Sequence, residues 1–104
     1  VEVGGKRLAV LHIAGSPKRP NKVARTFLMR ARPDLLLVGH SHIPVVAKVQ
    51  GALWVNPGAA GRQGFHKERY AALLHISGAG EGGPGAFSLD RICLGPRSAL
   101  KPLT

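Results

Sequence analysis

The segment DLLLVGHSHIP, residues 34–44, combines a continuous apolar run with two histidines that follow it directly. The apolar run, residues 35–38, is typical of a short strand that is covered on both faces of a sheet. His40 and His42 are separated by one serine, in a stretch entered through a glycine and left through a proline. We expect Gly39 to supply the unusual dihedral angles and the close backbone approach that a bend at the end of the strand requires.

The residues before this segment predict a strand and a helix. Residues 8–13 are apolar and partly β-branched after a glycine turn, so they predict a strand. A helix is predicted over residues 21–32, with Asn21 as its N-cap and Pro33 as its stop. The apolar stripe of this helix comprises Val23, Ala24, Phe27, Leu28 and Ala31. A strand, a helix and a buried strand make a βαβ unit, in which the two strands run parallel.

The rest of the chain is richer in strands. Further strands are predicted at residues 45–50, 52–56, 68–76 and 87–94. Gly51 forms the turn between the first two, and Trp54 is predicted to lie in the core. The glycine-rich residues 78–86 predict a loop, and residues 96–104 predict a frayed tail. The fold class is therefore α/β, with a mixed β-sheet and one clear helix.

Composition limits the class of protein. The 104 residues suffice for one small domain and contain 15 Lys and Arg against 5 Asp and Glu, a formal net charge of +10. Such a surplus attracts phosphate-bearing partners, either nucleic acid or small phosphorylated molecules. No apolar run approaches the roughly 18–20 residues that cross a bilayer, so we expect no membrane association. The single cysteine, Cys93, excludes a disulfide framework within the chain and fits a reducing, cytoplasmic compartment.

Three histidines are predicted to meet at one edge of the sheet. His12 lies near the end of the first parallel strand, and His40 and His42 lie just past the end of the next, so their imidazoles converge at the carboxyl edge. Imidazole is a frequent ligand of Zn, Mn, Fe and Ni, and the H-x-H spacing lets each ring address a different ion of a two-metal site. A single histidine at a strand end, such as His12 or His75, is more often a hydrogen-bonded structural residue, and we interpret His75 in its apolar strand in this way. Hard divalent ions also need carboxylates, which this group lacks, so the pattern predicts half of a metal centre.

Three segments, LHIAGSP, GHSH with its strand, and WVNPGAAGRQGFHKERYAALL, resemble the C-terminal half of calcineurin-like metallophosphoesterases, in the branch of small bacterial and archaeal phosphodiesterases. The resemblance is continuous over residues 1–77 and looser over residues 87–95. It implies that residues 1–104 are the C-terminal part of one domain and form half of an αββα sandwich. The family's D-x-H, G-D and G-N-H-[DE] motifs do not occur in this sequence. The resemblance thus implies a missing N-terminal half, which carries them, as a partner.

The resemblance also implies roles for the three histidines. His12 and His40 correspond to ligands of the family's second metal, and His42 corresponds to a ligand of the first. The cofactors implied are two divalent ions, with Mn favoured over Zn, Fe or Ni, which activate a water for attack on the phosphorus of a phosphodiester or phosphomonoester. We expect no other catalytic residue in this chain and little activity from it alone. Two alternatives stay open: a non-catalytic basic module that binds nucleic acid or phosphorylated ligands, and a degenerate remnant that binds one metal. The sequence also permits a homo-oligomer.

Four further residues are expected to support the metal ligands or to bind substrate. Asn56 is placed near the metal centre by the resemblance, although it can also simply hydrogen-bond its own loop. Gly39 is expected to support the centre through the bend that it allows before His40. Arg62 and His66, in the basic stretch GRQGFHKER, are positioned either to meet substrate phosphate or to lie in a solvated loop.

Overall fold

The order of the helix and strands follows the predicted one. A computed structural model of the chain describes residues 1–61, 64, 66–76 and 87–96. The described elements are β1 (Glu2–Val3), β2 (Lys6–Leu11), α1 (Lys22–Ala31), β3 (Leu35–Val38), β4 (Val45–Val49), β5 (Ala52–Asn56), β6 (Glu68–Ile76) and β7 (Phe87–Pro96). Arg62, the predicted loop at residues 78–86 and residues 97–104 of the predicted tail lie outside the described residues. Pro96 belongs to β7, so the last strand is two residues longer than predicted.

Five strands form a mixed sheet in the order β1-β2-β3-β5-β4. β3 pairs in parallel with β2 and with β5, whereas β1 and β4 pair antiparallel with their neighbours. The predicted βαβ unit and the hairpin of β4 and β5 are therefore confirmed. β2 spans residues 6–11 rather than 8–13, because its antiparallel pairing with β1 brings Lys6 into the sheet.

The helix begins and ends as its capping residues predict. The side chain of Asn21 accepts a hydrogen bond of 2.8 Å from the backbone N–H of Ala24, which confirms it as the N-cap. Arg32 closes the helix in the left-handed conformation, with its N–H donated to the carbonyl of Leu28. Ala24 and Leu28 are buried, but Val23 is 63% exposed, so the predicted apolar stripe is wider than the buried one.

The core lies between α1 and one face of the five-stranded sheet. It contains Trp54, which is 1% exposed and confirms its predicted core position. The buried members of this cluster are Ala14, Ala24, Leu28, Leu36, Val38, Val49, Ala52 and Trp54. Burial of both Leu35 and Leu36 shows that β3 is covered on its two faces, as its apolar run predicts.

The remaining strands, β6 and β7, form a separate antiparallel hairpin with a register shift between Arg69 and Tyr70. The backbone N–H of Tyr70 donates to the carbonyl of Ala59, which ties the hairpin to the segment that follows β5. His75 lies on its surface with a 53% exposed side chain, and its Nε2 is 2.9 Å from a carboxylate oxygen of Asp90. The described part of the chain includes no helix with the length and apolar character needed to cross a bilayer.

One edge of the sheet is left open beside the helix. β1 pairs only with Lys6 and Arg7, so residues 9–11 of β2 face no strand on that side among the described residues. We call these three residues the open β2 edge. Val10, in its centre, is 70% exposed. A groove along this edge is lined by Val10, Leu11, Lys22, Val23, Thr26, Phe27 and Arg30.

Candidate metal centre

His12 and His40 form a pair at the carboxyl edge of β2 and β3. Their ring centroids are 5.5 Å apart, with the rings nearly perpendicular. The backbone joins the two segments here, because the N–H of Gly39 donates to the carbonyl of His12 over 3.1 Å. Both imidazoles are exposed, so a ligand has access to their nitrogens. The parallel pairing of two strands thus brings together two histidines that are 28 residues apart in sequence.

The unusual backbone geometry of this loop falls on the histidines themselves. His40 has a φ of 69° and His42 a φ of 62°. The left-handed region costs an L-residue roughly 1–2 kcal/mol, although histidine enters it more often than most residues. The prediction for Gly39 was wrong in this respect, because Gly39 is not among the residues with positive φ. Nor is close approach decisive there, since a Cβ on Gly39 would meet Nδ1 of His12 at 3.4 Å, an ordinary contact.

The left-handed φ of His40 leads to a stability prediction. His40→Gly is expected to be about 1 kcal/mol more stable than His40→Ala, because both lose the ring but only glycine adopts positive φ without strain. Urea denaturation of the two variants measures this difference. The same two substitutions at His75, inside β6, are the control, and there alanine is expected to be the more stable. If alanine were the more stable variant at His40 as well as at His75, the strained backbone geometry of His40 would be contradicted.

His42 forms a second pair, with His66. Their ring centroids are 5.0 Å apart, and the two Nδ1 atoms are 3.2 Å apart. On its other side, Nε2 of His66 lies 2.9 Å from the carbonyl oxygen of Gly61. Both rings are partly buried, unlike those of His12 and His40. The pairing with His66 was not predicted, because the two residues are 24 positions apart and no local pattern in the sequence links them.

Asn56 joins the histidine loop to the end of β5. This side chain is 3% exposed. Its Nδ2 donates to the carbonyl of Gly39 over 3.3 Å and lies 3.0 Å from Oγ of Ser41, and its Oδ1 accepts from the N–H of Gly58 over 2.9 Å. A buried amide with three partners is satisfied and rigid. Asn56 therefore fixes the backbone that carries both His40 and His42.

The donor set suits transition-metal ions but is incomplete. Four imidazoles in two pairs have the chemistry to bind Zn, Mn, Fe or Ni. Among the described residues, however, no three His, Cys, Asp or Glu side chains come close enough to hold an ion together. Two carboxylates have partners away from these four histidines: Asp34 accepts a hydrogen bond from the N–H of Arg7, and Asp90 pairs with His75. The residues present fit the histidine side of a metal centre whose carboxylate side this group does not contain.

The chain matches the family model of the calcineurin-like phosphoesterase superfamily domain over residues 1–79. It therefore belongs to the calcineurin-like phosphoesterase superfamily, and the resemblance of its motifs is confirmed. No curated protein matches the sequence.

Solved structures of Vps29 share the fold. A single mutant of Vps29 from Entamoeba histolytica superposes with a TM-score of 0.60 at 17% identity, over 90% of this chain and 58% of that one. Wild-type Vps29 from the same organism, solved with Zn²⁺, gives 0.57 at 17% identity, over 89% and 58%. Vacuolar protein sorting 29 from Cryptosporidium parvum gives 0.57 at 18% identity, over 91% and 55%. The chain thus has a partial metallophosphoesterase-like fold and spans a little over half the length of these structures.

Proposed function

We propose that this chain supplies the histidine half of a two-metal phosphoesterase centre. The observation that carries the proposal is the pairing of His12 with His40 and of His42 with His66 at the carboxyl edge of the sheet. His12 and His40 would hold one ion and His42 the other. Bound divalent ions, Mn or alternatively Zn, Fe or Ni, supply Lewis-acid polarisation of phosphate oxygens and an activated water.

The protein's own residues have distinct parts in this function. The left-handed backbone at His40 and His42 turns two neighbouring imidazoles to different partners, and Asn56 holds that backbone in place. A phosphodiester or phosphomonoester would approach from the exposed side of His12 and His40. The formal charge of +10 favours such an anionic substrate before any specific contact forms. Arg62 is proposed to contact the phosphate.

The carboxylate half of the centre is proposed to pack against the open β2 edge. A strand added there would hydrogen-bond to residues 9–11 and end beside His12. The added strand would bury Val10 and Val23, whose side chains are 70% and 63% exposed in this chain. This burial would explain why apolar residues occur at these two exposed positions. Lys22 and Arg30, which line the same groove, give the edge a positive charge that suits an acidic partner. In this proposal, residues 1–104 are the C-terminal part of one domain.

The proposal predicts activity only from the completed domain. The sequence encoded upstream of Val1 is expected to contain D-x-H, G-D and G-N-H-[DE] motifs. Hydrolysis of bis-p-nitrophenyl phosphate with added Mn²⁺ should be negligible for the 104 residues alone and clear once that segment is joined or co-expressed. His40→Ala and His42→Ala are expected to abolish the activity of the completed domain, because each removes an imidazole from one of the two pairs.

His75→Ala is the matched control, since His75 lies on the β6–β7 hairpin and pairs with Asp90. Robust turnover by the isolated chain would overturn the proposal. A completed domain that binds phosphorylated ligands or nucleic acid but hydrolyses none would favour the non-catalytic basic module instead. The free, exposed thiol of Cys93 supports a reducing, cytoplasmic location.

A further inference from the structure

We infer that His66 is a second imidazole ligand, through Nδ1, of the same divalent ion that His42 binds. This inference rests on the proposed metal centre and adds a ligand to it. The resemblance to metallophosphoesterases assigns His42 to an ion but gives no such role to His66. The assignment comes from three observations: the position of the two Nδ1 atoms, the partner of the opposite nitrogen of His66, and the space at Gly64.

The hydrogen bond to Gly61 fixes which nitrogen of His66 can bind a metal. A backbone carbonyl only accepts, so Nε2 of His66, 2.9 Å from the oxygen of Gly61, donates its proton to it. In the neutral ring Nδ1 is then unprotonated, and its lone pair faces Nδ1 of His42. Metal-bound histidines commonly donate their other ring N–H to a backbone carbonyl in this way, which fixes the tautomer and the ring orientation.

The separation of the two Nδ1 atoms suits two ligands of one ion. Nitrogens that each lie about 2.0–2.1 Å from a tetrahedral zinc ion are about 3.3–3.4 Å apart. The observed separation between His42 and His66 is 3.2 Å. A hydrogen bond between the rings has the same length, so the distance permits both arrangements. They differ in protonation: a hydrogen bond requires a proton on Nδ1 of His42, whereas a shared ion requires both Nδ1 atoms to be bare.

Gly64 makes room for the pair. A Cβ at this position would fall onto Nδ1 of His42 and would lie 3.1 Å from Nδ1 of His66. Gly64 also has a φ of 121°, which side-chain-bearing residues rarely adopt. The backbone of Gly64 thus lies close to both nitrogens without placing a side chain against them.

The test is a titration of Zn²⁺ into the 104-residue chain labelled with ¹⁵N in its histidines. The Nδ1 resonances of both His42 and His66 are expected to shift together, while Nε2 of His66 stays protonated. His66→Ala is expected to weaken Zn²⁺ binding by about 10- to 100-fold, as measured by calorimetry. His66→Asp, whose carboxylate oxygens reach about as far from Cβ as Nδ1 does, should recover part of that affinity. His75→Ala should leave it unchanged.

Gly64→Ala should weaken Zn²⁺ binding as well, whereas Gly61→Ala, where an added Cβ meets nothing within 4 Å, should not. If the His42 resonance shifts and that of His66 does not, His66 is not a ligand, and the proposed phosphoesterase centre is untouched. If neither shifts in excess Zn²⁺, the assignment of His42 fails together with that of His66. If both Nδ1 resonances shift with Zn²⁺ but the completed domain hydrolyses no phosphoester, the proposed function fails and the ligand assignment of His66 stands.

Discussion

Replacing Trp54 with alanine is expected to lower the free energy of unfolding by about 3–5 kcal/mol, the largest effect of any substitution considered. Trp54 is 1% exposed and lies in β5, which is hydrogen-bonded to β3 on one side and to β4 on the other. Its ring belongs to the cluster that also holds Ala24 and Leu28 of α1. Truncation would leave a cavity at the contact between helix and sheet, and urea denaturation monitored by circular dichroism measures the loss.

Trp54→Phe separates the volume of the side chain from its polar atom. The indole Nε1 of Trp54 is buried and has no hydrogen-bond partner in the part of the chain that the structure describes. Phenylalanine keeps most of the apolar volume and removes this unsatisfied donor, so we expect a loss of less than about 2 kcal/mol. A phenylalanine variant as unstable as the alanine variant would show that the N–H has an acceptor after all.

Replacing Asn56 with alanine is expected to cost about 1–3 kcal/mol and to weaken the proposed metal binding by His40 and His42. The substitution leaves the N–H of Gly58 without the acceptor it has now, and a buried unsatisfied group costs about 1–3 kcal/mol. The carbonyl of Gly39 loses Asn56 but keeps its hydrogen bond from the N–H of Ser41. Because Asn56 ties the end of β5 to the histidine loop, the loop should also become less ordered. Urea denaturation and Zn²⁺ calorimetry on the same variant measure the two effects.

Asn56→Asp is the matched variant, because it keeps the size of the side chain and removes only the donor. A carboxylate can still accept from the N–H of Gly58, but its second oxygen would face the carbonyl of Gly39 without a proton to share. We expect it to be at least as destabilising as alanine, since it also buries a charge. Ser41→Ala should cost only about 0.5–1.5 kcal/mol, because Ser41 is exposed. An aspartate variant as stable as the parent chain would rule out the donor role of Asn56.

Local sequence patterns predicted most of the fold. Asn21 and Pro33 define the helix because an N-cap side chain and the steric restriction before proline act within a few residues. The apolar run of β3 predicts burial on two faces, which the structure confirms. The bounds of β2 were less accurate, since they depend on its pairing with β1. The exposure of Val23 also escaped prediction, because the helical repeat marks which residues are apolar and cannot tell which of them meet a partner.

Part of the candidate site was also predicted from local sequence patterns. Parallel strands end at one edge, so the meeting of His12 with His40 follows from the βαβ pattern. The roles of these residues as ligands stay predictions. Unusual dihedral angles were expected at Gly39, whereas left-handed φ values lie at His40 and His42, where the hydrogen bonds of Asn56 and Gly39 hold the loop. Such strain persists only where surrounding contacts impose it, so the residue type alone does not reveal it.

By itself the sequence determined that this chain is an α/β member of the calcineurin-like phosphoesterase superfamily, with histidines at strand ends and without the family's acidic motifs. Only the tertiary structure decided that His66 pairs with His42. Helix capping and hydrophobic periodicity arise from neighbouring residues and can be read along the chain. The pairing of His42 with His66 is a contact between residues 24 positions apart, which no local propensity encodes.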